Sequence, residues 1–157
     1  MQRSETEVET KTLVSAIALL VGSNVIAAAA DQTLKFKLVT VYIGEKDGES
    51  HMAGVTVSPD GTIGTKDFYD KSGENGASTG HSTYNFPDGS LVVNYSGAST
   101  GTQTGGHYIG KYQIISGTGA YQGATGGGSI DGDWGDKSPL KGAGLFNVEL
   151  DVKTPGT

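Results

Sequence analysis

The stretch Lys111-Tyr-Gln-Ile-Ile-Ser-Gly-Thr-Gly-Ala-Tyr-Gln-Gly-Ala-Thr-Gly-Gly-Gly-Ser-Ile130 decides the fold of this chain. It begins with a short apolar run of β-forming residues, which breaks at the sequence Ser-Gly-Thr-Gly. A second, glycine-rich run then continues to Ile130. The pattern predicts a strand, a tight turn and a second strand.

The glycines of this hairpin are predicted to have structural roles. Gly117 and Gly119 can adopt positive φ in the turn without a Cβ clash. Gly123 and Gly126 fall in the predicted second strand, where glycine usually marks a bulge, a barrel corner or the close approach of another backbone. A nucleotide-binding loop does not fit the spacing, since Gly-x-Gly-x-x-Gly would need a glycine one residue before Gly123 and a helix after it.

The quoted hairpin resembles the signature of the allene oxide cyclase and dirigent barrel superfamily. The shared features are an apolar strand, a Gly/Ser-Thr-Gly turn, an aromatic residue and a small-residue Ala-x-Gly, and the close match covers about twenty residues. The resemblance implies an eight-stranded antiparallel barrel with a largely apolar cavity, as in bacterial secreted members, and assembly into homo-oligomers. It also implies a cofactor-free cyclase or isomerase that works by substrate positioning, or a protein that steers a coupling reaction. The proline segment of the plant cyclase site and the arginines of dirigent sites have no counterpart after Arg3.

Length and composition restrict the function classes. The 157 residues suffice for one domain, with 26 glycines, no cysteine and a net charge of −6. The acidic balance argues against nucleic acid and anionic membrane surfaces as partners. Without cysteine there is no disulfide, thiolate nucleophile or zinc–cysteine site. Covalent and metal-assisted catalysis therefore lack their usual sequence signals, and neither a cofactor nor a metal is predicted.

Residues 1–30 differ in character from the rest of the chain. An uncharged apolar run, Leu13–Val21, is followed by a stretch that ends in four alanines, Ala27–Ala30. This predicts a secretory signal peptide cleaved before Asp31, and hence a secreted or periplasmic domain over 31–157 that has no membrane contact after cleavage. Acidic residues before the run depart from that pattern, and a start site placed too far upstream would explain them. An uncleaved anchor and a helix packed on the barrel are the alternatives.

From Thr33 onward short strands alternate with turns. Thr33–Ile43 alternates with period two, and Pro-Asp-Gly turns close two of the later strands. Eight strands are predicted, which favours an all-β up-and-down barrel or a sandwich, with a flexible loop at Ser96–Gly106 and an acidic, aromatic-bearing loop at Asp131–Lys141. Barrel closure suits the glycine content, because glycines and bulges allow strands to bend.

Strand alternation gives a candidate interior. Tyrosines suit an apolar cavity with few polar groups, since each has an apolar ring and one hydroxyl. The alternative is that they are ordinary core aromatics. The candidate cavity residues are Phe36, Tyr42, Tyr95, Tyr108, Tyr112 and Phe146.

The histidines and the acidic segment give weaker signals of a catalytic or metal-binding site. His51, His81 and His107 lack metal-ligand spacing, and His107, beside a flexible segment, is the best acid or base of the three. Asp131-Gly-Asp-Trp-Gly-Asp136 departs from a calcium-loop pattern and is predicted as a solvated acidic turn, with Trp134 capping a barrel end. Two functions follow: a barrel that binds or cyclises an apolar small molecule, or a structural or interaction module filled by its own side chains.

Overall fold

The computed structural model describes residues 30–155, and these form a closed barrel of eight antiparallel strands in sequential order. The strands are β1 (Ala30–Lys46), β2 (Glu49–Val57), β3 (Ile63–Ser72), β4 (Ala77–Phe86), β5 (Gly89–Gly101), β6 (Gly105–Gly119), β7 (Thr125–Gly135) and β8 (Gly144–Thr154). One 3-10 turn, Glu74–Gly76, connects β3 to β4. The predicted all-β, up-and-down barrel is thereby confirmed.

Closure of the barrel depends on the pairing of the first and last strands. β1 pairs with β8 from Ala30 opposite Thr154 to Thr40 opposite Gly144. A closed sheet has no free edge, so the backbone groups of every strand find partners on both sides. The predicted signal peptide lies outside the described residues, apart from the backbone of Ala30. Within residues 30–155 no helix is long and apolar enough to cross a membrane.

The predicted alternation places most of the expected side chains in the core. Buried residues on β1, β5, β6 and β8 share one face of their strands: Phe36, Leu38, Leu91, Val93, Tyr95, Tyr112, Ile114, Phe146, Val148, Leu150 and Val152. Tyr42 is different, because it is 62% exposed. It lies beyond Thr40, where pairing with β8 has ended, and just before an irregularity in the pairing of β1 with β2. The end of β1 therefore projects past its neighbour and leaves Tyr42 at a rim.

The hairpin turn lies later than predicted. β6 continues to Gly119, because it pairs with β5 as far as Gly89, and Gly117 is a strand residue opposite Leu91. The turn is formed by residues 120–124, so Gly123, with φ of +71°, belongs to the turn and not to a strand. Gly126 stands at the start of β7 with φ of +132°.

The longer turn has a packing role. Backbone hydrogen bonds from Tyr121 to Thr118, from Gln122 to Gly119 and from Ala124 to Tyr121, of 2.9–3.1 Å, fold it tightly. Tyr121 is thereby buried against Phe86, with ring centroids 5.7 Å apart. The turn closes one end of the barrel.

Two predicted loops are mostly strand. β5 extends to Gly101 and β6 starts at Gly105, so only residues 102–104 of the predicted Ser96–Gly106 loop remain outside the ladder. The first half of the predicted Asp131–Lys141 loop belongs to β7. Glycine and serine have little strand preference of their own, but a neighbouring strand on each side supplies their backbone partners.

Candidate functional site

One end of the barrel contains a cavity of about 1240 Å³. Its mouth is lined by residues of the turns at 73–76 and 102–104 and of the loop at 136–143. We call this the open end. The opposite end, where the 120–124 turn folds under the barrel, is called the closed end. Small residues in the cavity lining leave this volume unfilled: Ser50, Gly73, Ser78, Ser99 and Gly144.

Five of the six predicted cavity residues line this volume. Tyr95 and Tyr112 are buried in its wall, while Tyr42 stands at the rim. Tyr108 and Phe146 contact each other edge to face, with ring centroids 6.4 Å apart.

Phe36 does not line the cavity. It packs at the closed end against Tyr84 and Phe86, with centroids 5.3 and 5.7 Å away. The inward face of β1 was predicted correctly, but Phe36 occurs in the half of that strand that lies toward the closed end.

A buried lysine at the floor of the cavity was not among the predicted site residues. Lys66, on β3, is only 3% exposed, and its Nζ donates a hydrogen bond of 2.9 Å to the hydroxyl of Tyr112. The hydroxyl of Tyr84 donates a second hydrogen bond, of 2.8 Å, to the same oxygen. Inward alternation with Gly64 and Phe68, both buried, places the lysine here. That alternation was the available sequence signal.

Four aromatic rings surround the amine of Lys66. The Nζ atom lies 4.2 Å from the ring centroid of Phe68 and 5.1–5.3 Å from those of Tyr84, Tyr95 and Tyr112. Within residues 30–155 it forms no ion pair with a carboxylate. The faces of aromatic rings attract a cation, so they partly replace a counterion.

Burial changes the acid–base behaviour of Lys66. Desolvation lowers the pKa of its amine to about 7, and the charge of Asp70 acts in the opposite direction. The cation–π contacts also favour the charged form. A neutral amine and an ammonium ion are therefore both accessible near neutral pH. The sequence carries no motif of an activated nucleophile, whereas the structure places a buried amine with a lowered pKa at the cavity floor.

Asp70 lies toward the mouth on the same inward face of β3. Burial raises the pKa of its carboxyl group, while hydrogen bonds from Ser78 and Tyr95 oppose the rise. The Tyr95 hydroxyl is 3.0 Å from Oδ1 of Asp70 and 2.9 Å from the backbone oxygen of Tyr69. Burial in turn raises the pKa of Tyr95 and of Tyr112, so both hydroxyls stay protonated. The Tyr95 hydroxyl donates to Asp70 and Tyr69, whereas the Tyr112 hydroxyl accepts from Lys66 and Tyr84.

The histidines lie outside the cavity. His51 and His81 stack on the two faces of the Tyr69 ring, at centroid distances of 4.4 and 5.1 Å. His107 bridges two carboxylates on β7, with Nδ1 2.8 Å from Asp133 and Nε2 3.2 Å from Asp131. These contacts are typical of outer-face strand pairs. They give His107 no access to a ligand in the barrel.

Trp134 was predicted to cap a barrel end, and it lies in β7 at the mouth. Its indole N–H donates a hydrogen bond of 3.1 Å to the Ser99 hydroxyl on β5. The acidic segment around it belongs to β7 as far as Gly135, so it is not the predicted free turn.

The architecture matches a solved structure described as the pterocarpan synthase dirigent protein GePTS1. The two structures superpose with a TM-score of 0.60 over 82% of this chain and 93% of the other, at 15% sequence identity. The fold is thus a dirigent-like barrel, as the hairpin resemblance predicted. No protein-family model matches the chain, and no curated protein matches it.

Proposed function

We propose that this protein binds an apolar small molecule in the open end of its barrel. The observation that carries the proposal is the cavity of about 1240 Å³, whose wall combines aromatic rings with a few polar groups. Ligand sites are typically concave, mainly apolar and supplied with a small number of placed polar side chains. A barrel filled by its own side chains, the alternative function, would leave no such volume.

The ionisable groups favour a second, narrower proposal: a cofactor-free isomerisation or cyclisation of the bound molecule. Lys66 and Asp70 have pKa values shifted toward neutrality from opposite sides, which suits proton transfer near neutral pH. The cavity would hold the substrate in one conformation, which by itself lowers the entropic part of the barrier. Secretion and assembly into oligomers stay predictions from the sequence.

Binding of the neutral hydrophobic dye Nile red tests the first proposal. We expect saturable fluorescence enhancement with the wild-type protein and loss of at least about tenfold in affinity for Met52→Trp, which places an indole in the cavity. The matched control is Val41→Trp, because Val41 faces outward and is exposed. Equal binding by both variants would mean that the dye adheres to the outer apolar surface, and the proposal would fail.

A further inference from the structure

The buried amine at the cavity floor indicates the chemical class of the ligand. We propose that Lys66 captures the carbonyl group of an apolar aldehyde or ketone as a Schiff base. The inference rests on the proposed function, since the carbonyl compound must first enter the cavity.

The position of Lys66 is the first argument. Among the described residues, Lys66 is the only lysine that lines the cavity, and the side chains around its amine are mainly aromatic. Its amine has one hydrogen bond, to Tyr112, and no carboxylate partner in that part of the chain. A buried amine without an anion is costly unless it is neutral or otherwise stabilised. A structural lysine would rarely be placed in this way.

The aromatic rings around the amine favour a neutral carbonyl over an anionic head group. The rings of Phe68, Tyr84 and Tyr95 present their negative π clouds to the Nζ atom, while Tyr112 meets it with its hydroxyl. A carboxylate inserted among them would be repelled. A protonated imine, in contrast, keeps the positive charge at the same nitrogen and retains the cation–π stabilisation.

The reaction has the groups that it needs. The lone pair of the free amine attacks the carbonyl carbon, the C–O π bond breaks, and the proton released from nitrogen moves to oxygen, which gives a carbinolamine. The hydroxyl group then accepts a proton and departs as water while the nitrogen lone pair forms the C=N bond. The hydroxyl of Tyr112, 2.9 Å from Nζ, can supply that proton, and the phenolate that remains takes a proton from water at the open mouth. The water leaves through the open mouth, and no oxidant or reductant takes part.

The lowered pKa supports this assignment. With a pKa of about 7, a large fraction of Lys66 is unprotonated at neutral pH, whereas a lysine with an ordinary pKa is almost wholly protonated. The amine can therefore react under conditions in which the surface lysines are largely inert.

Reductive trapping tests the proposal. The full chain is incubated with naphthaldehyde and sodium cyanoborohydride, and the adduct is located by intact mass and peptide mapping. At about pH 7 we expect Lys66 to be labelled at least about tenfold faster than any surface lysine, with a rate that levels off above that pH. Lys66→Met should abolish the fast label. Lys71→Met should leave it unchanged, because Lys71 is exposed on the same strand. Labelling spread evenly over the surface lysines would overturn the proposal.

Two further measurements separate the competing outcomes. Naphthoic acid, the matched carboxylate, should displace Nile red less well than naphthaldehyde. Stronger displacement by the acid without a Lys66 adduct would identify an anion site and overturn the Schiff base. Nile red binding without any adduct would overturn the inference and leave the binding proposal standing. If the wild-type protein neither binds Nile red nor forms the adduct, both proposals fail. Mapping of the wild-type adduct is decisive even if Lys66→Met does not fold.

Discussion

The two ends of the barrel are formed by the same eight strands but contain different side chains. At the closed end, inward positions carry large rings such as Phe36, Tyr84 and Phe86, and Tyr121 is folded under them by a turn. At the open end, inward positions include serines and glycines, such as Ser78 and Gly144, and the volume stays unfilled. The closed end therefore supplies most of the burial that stabilises the fold, which leaves the open end free for binding.

Lys66 lies where the two regions meet. Its amine contacts the Tyr84 ring, which belongs to the packed side, and the Tyr95 ring, which lines the cavity. The closed end makes this site dry, because the rings below it exclude water. The open end gives a ligand access to it. Tight packing at one end therefore sets the surroundings of the amine that faces the other.

The largest expected effect is at the closed end. Gly119→Val should destabilise the protein by about 3 kcal/mol or more, because the added side chain combines positive φ with a clash. Gly119 has φ of +59°, and a Cβ there would collide with the backbone oxygen of Asp88. Urea unfolding measures the change.

The matched control for this variant is at the open end. Gly142 also has positive φ, of +82°, but a Cβ there meets nothing within 4 Å. Gly142→Val should therefore cost only the backbone strain, about 1–2 kcal/mol. Equal losses in the two variants would show that close packing at the closed end is not what makes Gly119 necessary.

The second prediction concerns the boundary between the ends. Lys66→Met should stabilise the protein by about 1–4 kcal/mol at about pH 6, because a buried charge is replaced by an apolar side chain of similar length. The gain should shrink as the pH rises toward about 10. The folded-state pKa of Lys66 is about 7, against an ordinary value of 10.5, so the unfolded chain binds more protons between these values. Wild-type stability therefore rises with pH in that window.

Urea unfolding at several pH values checks this sign. The slope between about pH 7 and pH 10 should be present in the wild type and in the exposed-lysine variant Lys71→Met, and be much reduced in Lys66→Met. The window stops there because the pKa of Tyr84 is raised by burial, and ionisation of tyrosine in the unfolded chain then opposes folding. An unchanged slope in Lys66→Met would mean that the amine titrates normally.

The strand alternation made much of the barrel predictable, because residues two positions apart in a strand point to the same face of the sheet. The residues on β5, β6 and β8 followed it. Alternation does not predict how far along the barrel axis each inward side chain lies. Phe36 and Tyr95 were both placed inward, yet one packs at the closed end and the other lines the cavity. That difference depends on which turn folds under the strands, and only the three-dimensional register sets it.

Two other features, the position of the hairpin turn and the burial of Lys66, could be assigned only once the neighbouring strands were known. Gly117 and Gly119 are both permissive, so the sequence could not tell a turn from a strand end, and pairing with Leu91 placed Gly117 in the ladder. Lys66 was missed because a lysine in a strand is expected to face water. The alternation of Lys66 with Gly64 and Phe68 can be read from the sequence. It indicates a buried lysine only once the tyrosines that surround the amine, which come from other strands, are known.

The third prediction tests the hydroxyl network above the closed end. Tyr112→Phe should cost about 1–2 kcal/mol, because the Lys66 amine and the Tyr84 hydroxyl both lose their partner. Tyr121→Phe is the control, since Tyr121 is also a buried tyrosine but its hydroxyl bonds to Asp88, outside this network. Urea unfolding compares the two variants. A smaller loss for Tyr112→Phe than for Tyr121→Phe would show that the network contributes little to stability.

The smallest expected effect is on the outer face near the open end, where less core is available to hold β6 against β7. His107→Gln should lower stability by less than about 1 kcal/mol at about pH 5.5 and have almost no effect at about pH 9, since the side chain is exposed and its ion pairs are screened by solvent. The hydrogen bond to Asp133 raises the pKa of His107, with a further contribution from the charge of Asp131. Because the folded-state pKa is above the ordinary value of 6.5, the stabilisation is complete below that value and is lost as the pH rises through the folded-state pKa.

His81→Gln is the control, since His81 stacks on Tyr69 and has no carboxylate partner within the described residues. Urea midpoints at the two pH values measure the difference. A loss for His107→Gln that is the same at both would mean that hydrogen bonding or packing, and not charge, joins these strands at the mouth.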